Sequence, residues 1–302
     1  MSLIDESDTV RIASNGRQCN YWHIAAITLL FWDHLLTLKT ELTYIWKKSF
    51  NLSGYLFLIQ RYFNPVAMIF TLTTVFDNLP VSCTVLSNIR QGILIIAQLI
   101  VTLIMTLRIH ALYGCNKRIL YSLLTTIAIL LSIVFVVTYT VHLSSQKSLS
   151  SSGCSTQFDS SNASRAAIAW WMIFIYDVLL FGLAVRNAFT TRQELHMIRH
   201  LKFHASLRVI LLRDGAMYFG VMTLVNLANI LTYYLLEDCM RGGLAPFTSS
   251  SSVTLVSRMM LNLHQVMGSG IYLSGGQAVT ENDKAVSHIV FHEPAESSLS
   301  SE

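Results

Sequence analysis

Charged residues are scarce in this chain of 302 residues, where lysine, arginine, aspartate and glutamate together make up 13%. In a typical soluble domain, about a quarter of the residues are charged. Because 53% of the residues are hydrophobic, water is not expected to be the main solvent of the folded chain. The net charge of +4 gives no basic footprint for nucleic acid, so no nucleic-acid partner is expected.

Other absences narrow the class of protein further. The chain has only 4 prolines and 14 glycines, which excludes a fibrous or low-complexity protein. The sequence contains no internal repeat of the kind that forms a solenoid, so this architecture is excluded. The polar start of the chain lacks a basic region followed by an apolar core, so we expect no cleavable secretory signal. No paired metal motif, Ser-His dyad or nucleotide loop appears, so we predict no enzyme and no catalytic, cofactor-binding or metal-binding residue.

Long apolar runs are abundant instead. Crossing a hydrocarbon core about 30 Å thick takes about 20 helical residues, and seven runs come close to that length. They are Tyr21–Leu38, Leu56–Phe76, Gln91–Leu112, Ile119–Leu143, Ala166–Val185, Val209–Leu236 and Val253–Leu273. Lipid offers no hydrogen-bond partner to an open backbone, so these runs favour helices over strands. For the first run, an interfacial amphipathic helix is the alternative, because Asp33 and His34 lie near its end.

The predicted fold is therefore an all-α membrane protein, a seven-transmembrane helix bundle over residues 21–273. We predict that residues 1–20 form an extracellular N-terminal tail and that residues 274–302, which end in a run of serine and glutamate, form a disordered cytoplasmic tail. The prolines Pro65, Pro80 and Pro246 are expected near helix ends, and that arrangement argues against the broken helices of transporters.

The distribution of lysine and arginine predicts the orientation, because cytoplasmic loops retain these residues. The first, third and fifth connections hold eleven of them: Lys39, Lys47, Lys48, Arg108, Lys117, Arg118, Arg186, Arg192, Arg199, Lys202 and Arg208. The second, fourth and sixth hold four: Arg90, Lys147, Arg165 and Arg241. The odd connections are therefore predicted to be cytoplasmic, with the N-terminus outside and the C-terminus inside.

The cysteines agree with this orientation, since disulfides persist on the oxidising side of a membrane. The cysteines of the predicted outer side are Cys19, Cys83, Cys154 and Cys239, and Cys115 is alone inside. Four cysteines allow three pairings. Cys83 with Cys154 is our candidate disulfide, and free thiols are the alternative. Asn162-Ala163-Ser164 is a glycosylation sequon on the same side.

Several short motifs carry a resemblance. They include the segment Phe31–Leu38 with Glu41, Tyr44-Ile45-Trp46 and Arg61-Tyr62, then Ala111-Leu112-Tyr113-Gly114, Leu212-Arg213-Asp214-Gly215, Asn226-Leu227-Ala228-Asn229 and Leu261-Asn262-Leu263. In these motifs the chain resembles the fungal, chiefly basidiomycete, multi-pass membrane proteins that carry an N-terminal domain of unknown function, number 6533 (DUF6533). The domain would cover about residues 21–65. The resemblance implies location and architecture and carries over no functional residue.

A looser resemblance, at the level of fold, is to G-protein-coupled receptors. They share seven helices, an outer N-terminus, a cysteine at the head of the third helix and an arginine near its inner end, where Arg108 stands. This chain reads Leu107-Arg108-Ile109 without the flanking acid and tyrosine of the receptor motif, and Leu261-Asn262-Leu263-His264 replaces the Asn-Pro pair of the seventh helix. Fold alone does not fix function.

Polar residues inside the predicted spans need partners or a wet cavity. Asp33, Asp177, Asn226 and Asn229 form the candidate intramembrane polar site, with Asp177 the first candidate for a ligand or counter-ion. A hydrogen-bonded core carboxyl is the alternative for Asp177, and helix-to-helix adhesion is the alternative for the asparagines. Arg108 and Asp214 form a candidate cytoplasmic latch, with a packing salt bridge as its alternative.

These observations predict a multi-pass integral membrane protein, receptor-like or sensory, in the plasma membrane. Its partners would be the lipid bilayer, an extracellular ligand and a cytoplasmic signalling partner. The alternative is a small-solute or ion transporter or channel, which the intramembrane polar residues favour. No cofactor is expected in either case.

Overall fold

The computed structural model of the chain describes residues 6–46, 52–77, 81–142, 148–150, 154–156, 160–197, 202–236 and 240–276. Within these ranges the chain forms seven α-helices. They are α1 (Glu6–Tyr44), α2 (Leu52–Phe76), α3 (Cys83–Leu112), α4 (Lys117–His142), α5 (Ser160–Met197), α6 (Lys202–Leu235) and α7 (Ala245–Gly276). The prediction of a helical fold is confirmed, with one helix for each apolar run. The predicted tail beyond residue 276 lies outside the described residues.

A short hairpin that the sequence did not predict lies between α4 and α5. Strands β1 (Ser148–Ser150) and β2 (Cys154–Thr156) pair antiparallel, with Ser148 opposite Thr156 and Ser150 opposite Cys154. Strand β2 contacts α3 and α2. The described hairpin of this connection therefore lies against two of the helices.

Four of the described helices contain segments long and apolar enough to cross a membrane, judged by length and composition. The segments are Val85–Leu112, Lys117–Val137, Ala166–Thr190 and Gly215–Leu235. They belong to α3, α4, α5 and α6. Within their described residues, helices α1, α2 and α7 do not reach this standard, and each carries polar and charged side chains along its length.

The helices differ in how much protein surrounds them. Helix α7 contacts α1, α2, α3 and α6, whereas α4 packs chiefly on α5 and α3. The main core cluster draws on α3, α5 and α7, with Ile104, Ile109, Leu180 and Met260 among its most buried members. Large apolar side chains of α4 such as Ile129 and Phe135 lie exposed on the outside of the bundle, which suits contact with lipid.

Helix α7 begins eight residues before the predicted Val253, at Ala245. The added segment holds a run of small hydroxyl residues, all of them buried: Thr248, Ser249, Ser250, Ser251 and Ser252. Small residues let neighbouring helices approach closely, which accounts for their place in a helix enclosed by protein. The sequence-based boundary missed this segment because hydroxyl residues lower the mean hydropathy.

Pro65 lies inside α2, 11 residues before its end at Phe76, so the expectation that it lies near a helix end was wrong. Proline has no backbone N–H, and it therefore donates no helical hydrogen bond to the carbonyl of Arg61 one turn earlier. Helix α2 continues through this position because the flanking residues remain packed between α1, α3 and α7.

Candidate functional site

The main cluster of charged side chains among the described residues joins α1 to α2. Glu41 Oε2 accepts a hydrogen bond from Arg61 Nε. The other carboxylate oxygen, Oε1, accepts from the Tyr62 hydroxyl at 2.9 Å and from Trp46 Nε1 at 3.3 Å. We call Glu41, Arg61, Tyr62 and Trp46 the clasp, because the glutamate of α1 binds two partners from α2 and one from the turn that follows α1.

Arg61 is also bound by the backbone and side chains of α1. Its Nη2 donates to Thr37 Oγ1 at 2.6 Å and to the His34 carbonyl at 3.1 Å. His34, Thr37 and Glu41 share one face of α1 because they are three or four residues apart. Glu41 is 0% and Arg61 2% exposed, and buried charges of this kind are stable only when paired. The clasp therefore fixes α1 against α2.

A second ion pair joins α1 to α7. Arg258 Nε donates to Asp33 Oδ1, and Asp33 is buried whereas Arg258 is exposed. Asp33 lies two turns before Glu41 on α1, and its carbonyl accepts a hydrogen bond from Thr37 Oγ1 at 2.7 Å. Two buried acids of α1 are thus paired with arginines of α2 and α7.

A third polar contact joins α5 to α6. Asn226 Nδ2 donates to Asp177 Oδ2, and both side chains are buried. Asn229 is also buried, and neither of its side-chain amide atoms has a hydrogen-bond partner within the described part of the chain. The four residues of the predicted intramembrane site are therefore divided. Asp33 binds Arg258 of α7, whereas Asp177 binds Asn226.

The other predicted site residues are placed as follows. Arg108 donates from Nε to Met260 Sδ at 2.9 Å, and the side chain of Asp214 lies outside the described side chains, so the latch stays a prediction. Asn162 lies in the first turn of α5, and its glycosylation also stays a prediction.

The described cysteines fall into two states. Cys19 and Cys83 are disulfide-bonded, whereas Cys115 is a free, exposed thiol in the turn between α3 and α4. The pairing of Cys83 with Cys154 stays a prediction, because the Cys154 side chain lies outside the described side chains. The contact of β2, which begins at Cys154, with α3, which begins at Cys83, is compatible with it.

A cavity of about 220 Å³ opens at the end of the bundle where α1, α3, α5 and α7 begin. All seven helices contribute to its wall. Residues that line it include His23 of α1, Asn64 of α2, Val137 of α4, Trp170 of α5 and Ser249 of α7. Concave sites lined mainly by apolar side chains with a few polar groups are typical of small-molecule binding.

Helix α3 presents one continuous face to this cavity. Arg90, Leu94, Ala97 and Gln98 all line it, and their spacing of three or four residues places them on one side of the helix. Arg90 and Gln98 are both buried. The Nε2 atom of Gln98 is buried without a hydrogen-bond partner in the described structure.

The corner between α6 and α7 forms another part of the cavity wall, and a glycine determines its shape. Gly242 has φ +68°, a conformation that favours glycine. A Cβ built there would lie 2.3 Å from the Tyr233 hydroxyl oxygen. Gly242 N also donates to Thr232 Oγ1 at 3.2 Å. The absence of a side chain lets the corner close onto Tyr233, and both residues line the cavity.

Sequence reasoning missed the clasp and the cavity. Arg90 was counted as a loop residue, but it lies inside α3 and is buried. Gln60, Arg61 and Asn64 follow a three-to-four-residue spacing on α2 and are all buried, and that amphipathic pattern was the available signal for the clasp. No linear pattern marks the cavity, because its wall is assembled from all seven helices.

Four apolar helices, in a bundle where two buried acids pair with arginines of neighbouring helices, define a multi-pass α-helical membrane protein. Residues 21–66 match a family of unknown function, DUF6533. The chain therefore carries this domain over the second half of α1 and the first half of α2, as its motifs predicted. No curated protein and no solved structure matches the chain. All four clasp residues lie within the matched range.

Proposed function

We propose that this protein is a receptor-like or sensory protein of the plasma membrane whose cavity binds an extracellular small molecule. All seven helices would span the bilayer, with the N-terminus outside and the C-terminus in the cytoplasm. The observation that carries the proposal is the cavity at one end of the bundle, to which every helix contributes. A cytoplasmic signalling partner would bind the opposite end of the helix bundle.

Two independent features support this orientation. The predicted inner connections hold eleven of the lysines and arginines of the connections and the outer ones hold four, in accord with the bias of cytoplasmic loops. The disulfide-bonded Cys19 lines the cavity, whereas the free thiol of Cys115 lies in the turn between α3 and α4. The first feature supports an outer N-terminus, and the second supports an outer cavity, because disulfides persist on the oxidising side.

Helices α2 and α7 each connect the cavity with an ion pair and supply a route for a signal. Helix α2 carries Asn64 in the cavity and Arg61 in the clasp, and Pro65 interrupts its backbone hydrogen bonding at this level. Helix α7 carries Ser249 in the cavity and Arg258 in an ion pair. A ligand that shifts these helices would change contacts at the other end, provided that it binds the two arrangements unequally.

A transporter is the second candidate, and the buried Asp177–Asn226 pair and the proline inside α2 favour it. The two proposals differ in access to the cavity. A receptor cavity is reachable from outside alone, whereas a transporter exposes its site to each side in turn.

Labelling of cysteines tests both orientation and access. In a Cys115→Ser background, Ala169→Cys introduces a thiol into the cavity wall and Val81→Cys a thiol at an exposed position between α2 and α3. A small, membrane-impermeant methanethiosulfonate applied to intact cells is expected to label both variants. The Cys115 thiol of the unaltered chain is expected to react only after permeabilisation.

The other outcomes are equally informative. Labelling of Cys115 but not of Val81→Cys on intact cells would contradict the orientation. Labelling of Ala169→Cys from outside and also in inside-out vesicles would favour the transporter. Protection of Ala169→Cys from both sides, with Val81→Cys labelled, would reject the cavity as a ligand site.

A further inference from the structure

The wall of the cavity is mainly apolar. Met68, Leu94, Trp170 and Ile173 all line it. Burial of apolar surface is the general source of affinity for small ligands, and it contributes about 25 cal/mol per Å². The cavity volume of about 220 Å³ is below the range of about 300–1,000 Å³ that is typical of drug-sized ligands. Its occupant therefore has a small apolar body.

The charges of the cavity have one sign. Arg90 and Arg241 line it, and none of its described lining residues is an aspartate or a glutamate. Arg90 is buried, and a charge in such a setting acts more strongly on a ligand than one in water. Both arginines have partners of their own. Their positive charge at the wall favours an anionic occupant.

One unpartnered polar atom of the wall is a donor that a ligand acceptor could satisfy. Gln98 is 4% exposed, and its Nε2 is a buried donor without a partner in the described structure. Leaving such a donor unpaired costs free energy, which a ligand oxygen would offset. Arg90 and Gln98 are eight residues apart on α3, or about 12 Å along the helix. Between them lie Leu94 and Ala97 on the same face.

We propose that the cavity binds a small organic carboxylate with an apolar body. The inference rests on the proposed function only in taking the cavity for a ligand site. A carboxylate accepts hydrogen bonds and donates none, so it suits the positively charged end of this wall at Arg90. Charge-assisted hydrogen bonds are also the stronger ones. An ammonium group would face two arginines with no described acid to receive it.

Three probes with the same apolar body test the class of ligand. Hexanoate, hexanamide and hexylammonium are titrated into the full chain in nanodiscs of zwitterionic lipid, with empty nanodiscs as the blank, and binding is followed by calorimetry. We expect hexanoate to bind about tenfold or more tightly than hexanamide, in line with hydrogen bonds to a charged group. Hexylammonium is expected to bind most weakly. Equal binding of the three, or tightest binding of hexylammonium, would overturn the proposal.

A substitution then tests the role of Arg90 in binding the carboxylate. Arg90→Gln is expected to lower the affinity for hexanoate to that for hexanamide while leaving hexanamide binding unchanged. The matched control is Arg118→Gln, which alters an exposed arginine that does not line the cavity, and its preference for hexanoate should persist. A folded Arg90→Gln variant that still prefers hexanoate would contradict the role of Arg90. Should this variant not fold, the three probes on the unaltered chain still decide the class.

The carboxylate that binds in this cavity would be either a soluble short acid or a fatty acid released from lipid. Palmitate separates them, because a closed cavity rejects a long chain and an opening towards lipid accepts it. Tighter binding of palmitate than of hexanoate assigns the site to a lipid-derived acid, and weaker binding assigns it to a soluble one. If Ala169→Cys is labelled from outside but no acid binds, the ligand class is rejected and the receptor-like proposal stands.

Discussion

Helices α4 and α7 differ in where they keep their apolar and polar side chains. Helix α4 leaves Phe135 72% and Ile129 61% exposed, whereas α7 buries a run of hydroxyl residues from Thr248 to Thr254. The contrast follows from their neighbours, because α7 is enclosed by four helices and α4 packs chiefly on two. A helix needs an apolar surface where it faces lipid and not where it faces protein. In this pair of helices, the helix with fewer protein neighbours is therefore the more apolar one.

The same contrast divides the whole bundle. We call α1, α2 and α7 the polar side and α3 to α6 the apolar side. The polar side holds the Glu41–Arg61 and Asp33–Arg258 ion pairs, and its helices fall short of the hydropathy that the other four reach. The apolar side has the Asp177–Asn226 hydrogen bond. Stability should depend on charge pairing in the first group and on apolar packing in the second.

The largest expected effect is the loss of one clasp partner. Arg61→Met leaves the carboxylate of Glu41, which is 0% exposed, without its cation. Removing one member of a buried ion pair costs about 3–5 kcal/mol. We expect the free energy of unfolding in mixed detergent micelles, measured by titration with sodium dodecyl sulfate, to fall by about that amount.

Two further variants test whether the loss of the Glu41–Arg61 ion pair causes the loss of stability. Glu41→Gln combined with Arg61→Met removes both charges and should restore more than half of the lost stability. Arg186→Met alters an exposed arginine of the apolar side and should change stability by about 0.5 kcal/mol or less. An Arg61→Met variant no less stable than Arg186→Met would contradict the division into two sides.

The second effect concerns the corner that leads into α7. Gly242→Ala places a Cβ against the Tyr233 ring at a backbone conformation that alanine disfavours. Overpacking of this kind costs about 1–3 kcal/mol, and it should also distort the cavity that both residues line. Thermal unfolding and hexanoate binding report the two consequences.

Gly92→Ala is the matched control, because a Cβ at Gly92 would meet nothing within 4 Å. Alanine also favours a helix over glycine by about 1 kcal/mol, so this variant of α3 should be no less stable than the unaltered chain. If Gly242→Ala were as stable as Gly92→Ala, Tyr233 would have to move freely, and the corner would not fix the cavity.

The sequence allowed prediction of the helices but not of their polar partners. Apolar length is a local property, so each predicted run lies on one helix. Asp33 was identified as a residue in need of a partner, yet Arg258 lies 225 residues away in the chain. Nothing in the sequence links these two positions. Glu41 was noted only as part of a motif, because the burial that makes it a paired charge depends on α2 folding back onto α1.

The cavity was beyond sequence reasoning for a related reason. The apolar run begins at Gln91, so the sequence predicts that Arg90 lies in a loop. Helix α3 begins at Cys83 instead, and Arg90 is buried within it. Gln98 lies in the middle of an apolar run, and no pattern in the sequence marks it as a site residue. Only the packing of seven helices brings these two residues to one wall.

The smallest effect should come from the polar contact of the apolar side. A double-mutant cycle with Asp177→Leu and Asn226→Leu measures the coupling between two buried side chains of α5 and α6. Hydrogen bonds between membrane helices contribute about 0.6 kcal/mol on average and about 1.7 kcal/mol at most. A coupling in this range, well below that of a Glu41 and Arg61 cycle measured in the same micelles, is expected. A coupling at Asp177 equal to that of the clasp would show that the apolar side also depends on a strong polar contact, and the contrast between the two sides would fail.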